Sequence, residues 1–126
     1  MAMDLFTSKD GTTIHYNTMG EGFPVVLIHT AYDNYSVFND VAKALAKSFQ
    51  VVLIDLRGHG YSDKPRNIEF HEFSDDVIAL LDYIYIDHAA FVGHEMGAIV
   101  ASDISVRYED YVSSICLLYT SDAADE

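Results

Sequence analysis

Two glycines that bracket a glutamate constrain the fold of this chain more than any other feature. Gly93 and Gly97 lie two positions on either side of Glu95, and the short apolar run 89–92 comes directly before them. A run with helical character follows. This spacing is typical of a strand that turns sharply into a helix, because a side chain at either glycine would crowd the turn. The sequence therefore predicts that Glu95 lies at the tip of a tight turn, in a strained backbone conformation.

Short β-branched runs mark the strands elsewhere in the chain. Residues 25–28 and 51–54 are continuously apolar, which is typical of parallel strands buried on both faces. The sequence Lys-Asp-Gly at 9–11 predicts a hairpin turn between two earlier strands. A further strand is predicted to begin at Val112. With the strand before Gly93, the chain contains about six predicted strands.

Amphipathic runs between these strands predict three helices. Apolar residues recur at helical spacing, with polar residues on the opposite face. Ser36 is predicted to cap the first helix. The predicted helices cover residues 36–49, 70–84 and about 96–108. Strands that alternate with helices predict an α/β fold with a mostly parallel, doubly wound sheet.

The composition limits the class of protein and the kinds of partner. The 126 residues suggest one domain, and 50% of them are hydrophobic, which is enough for a real core. The formal net charge of −13 argues against nucleic acid and against an anionic membrane as partners. Residues 1–7 lack the pattern of a signal peptide and no stretch is long enough to span a membrane, so we expect a cytoplasmic protein. Cys116 is the only cysteine, which excludes an internal disulfide.

A second motif, combined with the glycine-bracketed turn, connects the chain to a known family. Residues 55–65 read Asp-Leu-Arg-Gly-His-Gly-Tyr-Ser-Asp-Lys-Pro. This run is similar to the D-x-R-G-x-G-x-S loop after the fourth strand of α/β-hydrolases, and residues 25–29 are similar to the third strand, which normally ends in His-Gly. The turn at Glu95 is similar to the family's nucleophile elbow. From about Asp10 to Ile115 the chain therefore resembles the N-terminal half of an α/β-hydrolase, an incomplete form of the fold.

The resemblance implies a mechanism and assigns roles by position. The residue at the tip of the elbow attacks the substrate and forms a covalent intermediate, and backbone N–H groups stabilise the oxyanion. Here the nucleophile position is Glu95, and the oxyanion donors are the N–H groups of Ala31 and Met96. The implied substrate is a small molecule with an ester, halide, epoxide or similar bond, and neither a metal nor an organic cofactor is implied. Thr30 takes the place of the glycine that normally follows the histidine at position 29.

The catalytic acid and histidine of this family follow the nucleophile in the chain. Residues 96–126 contain no histidine. The resemblance therefore implies that two members of the triad are absent, and we expect the 126-residue chain by itself to be inactive.

Glu95 itself has three interpretations, because serine is the usual residue at this place. It is a carboxylate nucleophile, like the aspartate of relatives that cleave carbon–halogen bonds or epoxides. Alternatively, the protein is a pseudoenzyme that binds a ligand through a buried carboxylate, or a serine hydrolase whose sequence is in error here. Glutamate places its carboxylate roughly 1.5 Å farther out than aspartate does. A shift of about 1 Å can reduce a rate by about a hundredfold, so a catalytic Glu95 requires a site shaped for it.

The last eleven residues differ in character from the rest of the chain. Residues 116–126 resemble a translated sequencing-library transposon adapter. We therefore expect residues 1–115 to be the N-terminal part of an α/β-hydrolase domain and residues 116–126 to be a non-native tail. The alternative is a genuine acidic terminus in which residues 116–118 complete the strand that begins at Val112.

Overall fold

A six-stranded sheet forms the framework of the chain. The structure is a computed structural model that describes residues 4–119. The strands are β1 (Asp4–Thr7), β2 (Thr13–Met19), β3 (Pro24–Ile28), β4 (Gln50–Ile54), β5 (Ala89–His94) and β6 (Val112–Leu118). The helices are α1 (Asn39–Leu45), α2 (Phe70–Tyr83) and α3 (Met96–Arg107), with 3₁₀ turns at Tyr35–Phe38 and Glu109–Tyr111. The predicted α/β class, with six strands and three helices, is confirmed.

The strand order is β1-β2-β4-β3-β5-β6, and the last four strands in that order are parallel. β1 and β2 form the predicted antiparallel hairpin, and β2 runs antiparallel to β4. β3 lies at the centre of the parallel part, where Ile28 is opposite Ile54 on one side and opposite Gly93 on the other. Since parallel strands end at the same edge of a sheet, the loops after β3, β4 and β5 meet there.

The continuous apolar runs are buried because helices cover both faces of the sheet. Val26 and Ile28 of β3 pack into the cluster formed by α2 and α3. Val25 and Leu27 face the other way, toward Phe38 and α1. Successive side chains of a strand point to opposite faces, so a central strand with two covered faces has no polar position.

The first helix differs from its prediction in both its start and its cap. α1 begins at Asn39, after a 3₁₀ turn, and ends at Leu45. The prediction of Ser36 as the cap is wrong. Asn34 caps the preceding turn instead, and its Oδ1 accepts a hydrogen bond of 2.9 Å from the backbone N–H of Ser36. Both residue types make good caps, and the chain turns two residues earlier than the hydrophobic spacing indicates.

β6 lies at the edge of the sheet and includes residues 116–118. It exposes apolar side chains, among them Leu117 and Leu118. The strand at residues 116–118 is compatible both with a native terminus and with a non-native tail. Residues 120–126 of the predicted tail lie outside the described residues. No helix within residues 4–119 is both long enough and apolar enough to span a bilayer.

Candidate active site

A one-residue turn joins β5 to α3. His94 ends the strand, Met96 begins the helix, and Glu95 between them has φ 51° and ψ −108°. A residue with a Cβ adopts positive φ only at a cost in free energy. The surroundings hold this conformation: the Glu95 N–H donates a hydrogen bond of 2.8 Å to the carbonyl oxygen of Leu118, and its carbonyl accepts one of 2.8 Å from the N–H of Ala98. The structure therefore has a sharp, strained turn with half-buried Glu95 at its tip.

The two glycines allow backbone to pack directly on backbone around this turn. A Cβ on Gly93 would lie 2.2 Å from the carbonyl oxygen of Gly97. A Cβ on Gly97 would lie 2.1 Å from the carbonyl oxygen of Ile28. Distances this short are far below van der Waals contact, so neither position accepts a side chain without movement of the backbone. The start of α3 is thereby pressed against the ends of β5 and β3.

The loop after β3 lies beside the turn, because Ile28 pairs with Gly93 across the two strands. Thr30 reaches across from this loop, and its Oγ1 accepts a hydrogen bond of 3.2 Å from the backbone N–H of Met96. Ala31 follows directly in the chain. The loop that contains Thr30 and Ala31 therefore lies beside the turn formed by Glu95 and Met96.

His29 is a positioning residue for this loop. It is fully buried, its Nδ1–H donates a hydrogen bond of 2.7 Å to the carbonyl oxygen of Thr30, and its Nε2 accepts one of 3.0 Å from the N–H of Leu56. A carbonyl can only accept and an amide N–H can only donate, so these two bonds fix a single neutral tautomer. Burial lowers the pKa of His29 from its ordinary value. With both ring nitrogens engaged, His29 joins the loops after β3 and β4 and has no nitrogen available for proton transfer.

The loop after β4 is organised around the buried carboxylate of Asp55. Its Oδ1 accepts a hydrogen bond of 2.8 Å from the N–H of Tyr35. Its Oδ2 accepts bonds of 3.0 Å from the N–H of Tyr61 and 2.8 Å from Nδ1–H of His15. A buried carboxylate with several donors is a strong structural anchor. The family-like motif at 55–65 therefore fixes the shape of this loop.

Arg57 anchors the other side of the same loop. Its side chain is 3% exposed and makes two hydrogen bonds to fully buried Asp76 of α2, of 2.7 Å from Nε and 2.8 Å from Nη2. It also donates to Asp10 of the hairpin turn at 2.8 Å. These hydrogen bonds raise the pKa of Arg57 and hold the pKa of the Asp10 carboxyl well below its usual range. Arg57 is therefore committed to structure.

A cleft of about 470 Å³ lies between the loops after β3 and β4. It opens at the edge of the sheet where β5 also ends, and Tyr32, with φ 65°, is fully exposed on its rim. Sequence reasoning missed this cleft. The available signal was the parallel order of β3 and β4, because loops after adjacent parallel strands converge at one edge. The lining residues are Tyr32, Asp33, Asn34, Gly58, His59, Gly60 and Ile68.

Comparison with known families gives a match over most of the chain. A family model described as the alpha/beta hydrolase fold matches residues 24–126. Among curated proteins, 2-(acetamidomethylene)succinate hydrolase from Mesorhizobium japonicum is 32% identical over 104 residues, covering 82% of this chain and 37% of the relative. Soluble epoxide hydrolase from a Corynebacterium species is 33% identical over 110 residues, covering 86% of this chain and 38% of the relative. The chain therefore spans less than two fifths of the length of these relatives.

Solved structures agree with these matches. An N-acyl homoserine lactone degrading enzyme is 34% identical with a TM-score of 0.85, covering 88% of this chain and 43% of the other. An epoxide hydrolase without ligand is 30% identical with a TM-score of 0.87, covering 92% of this chain and 41% of the other.

Proposed function

This chain belongs to the α/β-hydrolase fold family, and on that premise we propose that it is the N-terminal part of a hydrolase with Glu95 at the nucleophile position. The substrate is a small molecule with an ester, halide, epoxide or similar bond. The observation that carries the proposal is the strained turn at Glu95, with φ 51°, held between two glycines and next to the loop that contains Ala31. Strain of this kind is retained where it positions a reacting group.

The chemistry of a carboxylate favours some of these bonds over others. A Glu95 oxygen attacks a saturated carbon and forms a C–O bond, while halide leaves or the epoxide C–O bond breaks and its oxygen takes a proton from water. The product is an ester on Glu95. Attack on an ester carbonyl would instead give a mixed anhydride, which is a less stable intermediate. The similarity to epoxide hydrolase, found both among curated proteins and among solved structures, supports the first route.

The N–H groups of Met96 and Ala31 serve the second half of the reaction in this proposal. When water attacks the carbonyl carbon of the ester on Glu95, negative charge develops on the carbonyl oxygen of that ester, and the two backbone donors stabilise it until the alcohol leaves. Activation of that water requires a base. His29 is unsuited to this role because both of its ring nitrogens are engaged, and residues 96–126 contain no histidine.

We therefore propose that the 126-residue chain stops at the ester and does not turn over. Hydrolysis of p-nitrophenyl acetate and of chloroacetate should not exceed that of a Glu95→Ala variant. Turnover clearly above this variant would overturn the proposal of inactivity.

A non-catalytic ligand-binding protein is the second candidate. The observation that favours it is the bond from the Met96 N–H to Thr30 Oγ1, because this bond occupies one of the two expected oxyanion donors. In such a protein Glu95 would hydrogen-bond a ligand and form no covalent bond.

Covalent labelling separates the two candidates. The labelling uses a Cys116→Ser background, which removes the exposed thiol. This protein is incubated with styrene oxide or bromoacetate, and its intact mass is then measured. A nucleophilic Glu95 gives one persistent adduct that Glu95→Gln lacks, while the exposed-carboxylate control Glu21→Gln keeps it. Equal labelling of all three proteins contradicts a nucleophilic Glu95 and supports the binding protein.

We also propose that residues 116–126 are a non-native tail, on the strength of their adapter-like sequence. The uninterrupted genomic reading frame tests this. A native frame that continues through these residues would refute the proposal.

A further inference from the structure

The first amide of α3 is capped by a side chain from a distant part of the chain. Met96 is the first residue of the helix, and its N–H donates to Oγ1 of Thr30, which lies 66 positions earlier. The amide groups of the first helical turn have no partner within their own helix. In the proposed mechanism, this same N–H binds the oxygen that becomes negatively charged.

Thr30 is held in place from its other side as well. Its carbonyl oxygen accepts a hydrogen bond of 2.7 Å from Nδ1–H of buried His29 and one of 3.3 Å from the N–H of Asp33. The β3–β5 pairing brings this loop to the end of β5. Rotation about the Cα–Cβ bond of Thr30 is therefore the smallest motion that frees the Met96 N–H, since the backbone on both sides is fixed.

We propose that the Thr30 hydroxyl occupies the Met96 N–H in the resting protein and must rotate away before the carbonyl oxygen of the ester on Glu95 can bind there. This inference rests on the proposed function, because it makes the Thr30 hydroxyl an internal competitor, a group of the protein itself that competes with the oxyanion for the Met96 N–H. A hydrogen bond to a charged oxygen is about twice as strong as one to a neutral oxygen. A developing oxyanion therefore displaces the hydroxyl more readily than the neutral carbonyl oxygen of the ester on Glu95 does, and the competition favours the transition state over the ground state.

Thr30 is a positioning residue in this account, and a purely structural cap is the alternative. A structural cap predicts that loss of the hydroxyl frees the amide without any change in ligand affinity. An internal competitor predicts that removing the hydroxyl also strengthens the binding of an oxygen anion. Binding and amide exchange, measured together, separate these roles.

The experiment uses the full chain in a Glu95→Gln background, so that the neighbouring carboxylate does not repel the probe. Acetate is titrated, and both its Kd and the hydrogen exchange of the Met96 amide are followed by NMR. Thr30→Ala should speed exchange of the Met96 amide and bind acetate about three- to tenfold more tightly, because one neutral hydrogen bond no longer competes. Thr30→Ser should match the parent. Thr30→Val should speed exchange without tighter binding, because its methyl groups still fill the space.

Two results would overturn the proposal. Unchanged exchange in Thr30→Ala would mean that the hydroxyl does not hold the amide, and faster exchange with unchanged acetate affinity would leave only a structural cap. If Thr30→Ala does not fold, Thr30→Gly is measured with the same criteria. Neither readout depends on covalent chemistry at Glu95, so this test can fail while labelling of Glu95 succeeds, and the reverse also holds.

Discussion

Gly97 of α3 lies directly against Ile28 of β3, where a Cβ would come within 2.1 Å of the Ile28 carbonyl oxygen. Glycine to alanine inside a helix normally stabilises by about 0.5–1 kcal/mol. Here we predict the opposite sign: Gly97→Ala should lower the free energy of unfolding by about 2–3 kcal/mol, because the new methyl group meets backbone. Urea denaturation measures this.

Val106→Ala is the control for the Gly97 prediction. Val106 is in the same helix and 78% exposed, so its truncation should change the free energy of unfolding by less than about 0.5 kcal/mol. A Gly97→Ala variant as stable as the parent would show that α3 is not pressed against β3 as described.

The strain at Glu95 predicts an unusual order of stability between two variants that both remove the proposed nucleophile. Glu95→Gly and Glu95→Ala both delete the carboxylate, but only glycine adopts φ 51° without steric cost. We expect Glu95→Gly to be about 1 kcal/mol more stable than Glu95→Ala, after the greater flexibility of glycine in the unfolded chain is taken into account. Thermal or urea unfolding of the pair tests this. Equal stability would mean that position 95 is not strained.

His29 predicts a specific dependence of stability on pH. Its pKa is lowered in the folded chain because burial disfavours the charged ring. Below about pH 6.5 the unfolded chain therefore binds a proton that the folded chain does not bind, and the free energy of unfolding falls as the pH decreases toward the folded pKa. Above pH 7 this contribution is constant.

The variant His29→Gln tests that dependence. Glutamine does not titrate, although its side-chain oxygen can still accept a hydrogen bond from the Leu56 N–H. The variant should therefore be less stable than the parent at pH 8 but should lose less stability between pH 7 and pH 5. Urea denaturation at several pH values gives the comparison. Parallel pH profiles for parent and variant would rule out His29 as the source.

The buried pair Arg57–Asp76 should matter far more than the neighbouring exposed pair. Asp76 is fully buried with two hydrogen bonds from Arg57, whereas the Asp75–Arg107 pair is about one-third exposed on both sides. Asp76→Asn should cost about 3 kcal/mol of stability, because it removes the fully buried counter-charge of Arg57, whose other partners Asp10 and Glu72 are partly exposed. Asp75→Asn should cost about 1 kcal/mol or less. Similar losses for both variants would contradict the structural role assigned to Arg57.

The local patterns of the sequence predicted most of the fold. The continuous apolar runs at 25–28 and 51–54 form the buried strands β3 and β4. They could be predicted because a strand that is covered on both faces has apolar side chains at successive positions. The cap of the first helical segment was predicted wrongly. Asn34 and Ser36 are both suited to the role, and the choice between them depends on how the chain leaves the loop.

The contact between Thr30 and Met96 could not be predicted in the same way. It depends on the register of β3 against β5, which brings together residues 66 positions apart. The sequence does show that threonine replaces a glycine beside His29. Which amide its hydroxyl meets is a property of the assembled sheet.

In the proposed function a strained turn presents Glu95 as a carboxylate nucleophile, and tandem mass spectrometry of the labelled tryptic peptide locates the carboxylate that reacts. After reaction with styrene oxide, the peptide spanning residues 67–107 contains Glu95 among several other carboxylates. If Glu95 is the nucleophile, the added mass is located on Glu95. Modification spread over the exposed carboxylates, with Glu95 unmodified, would contradict it.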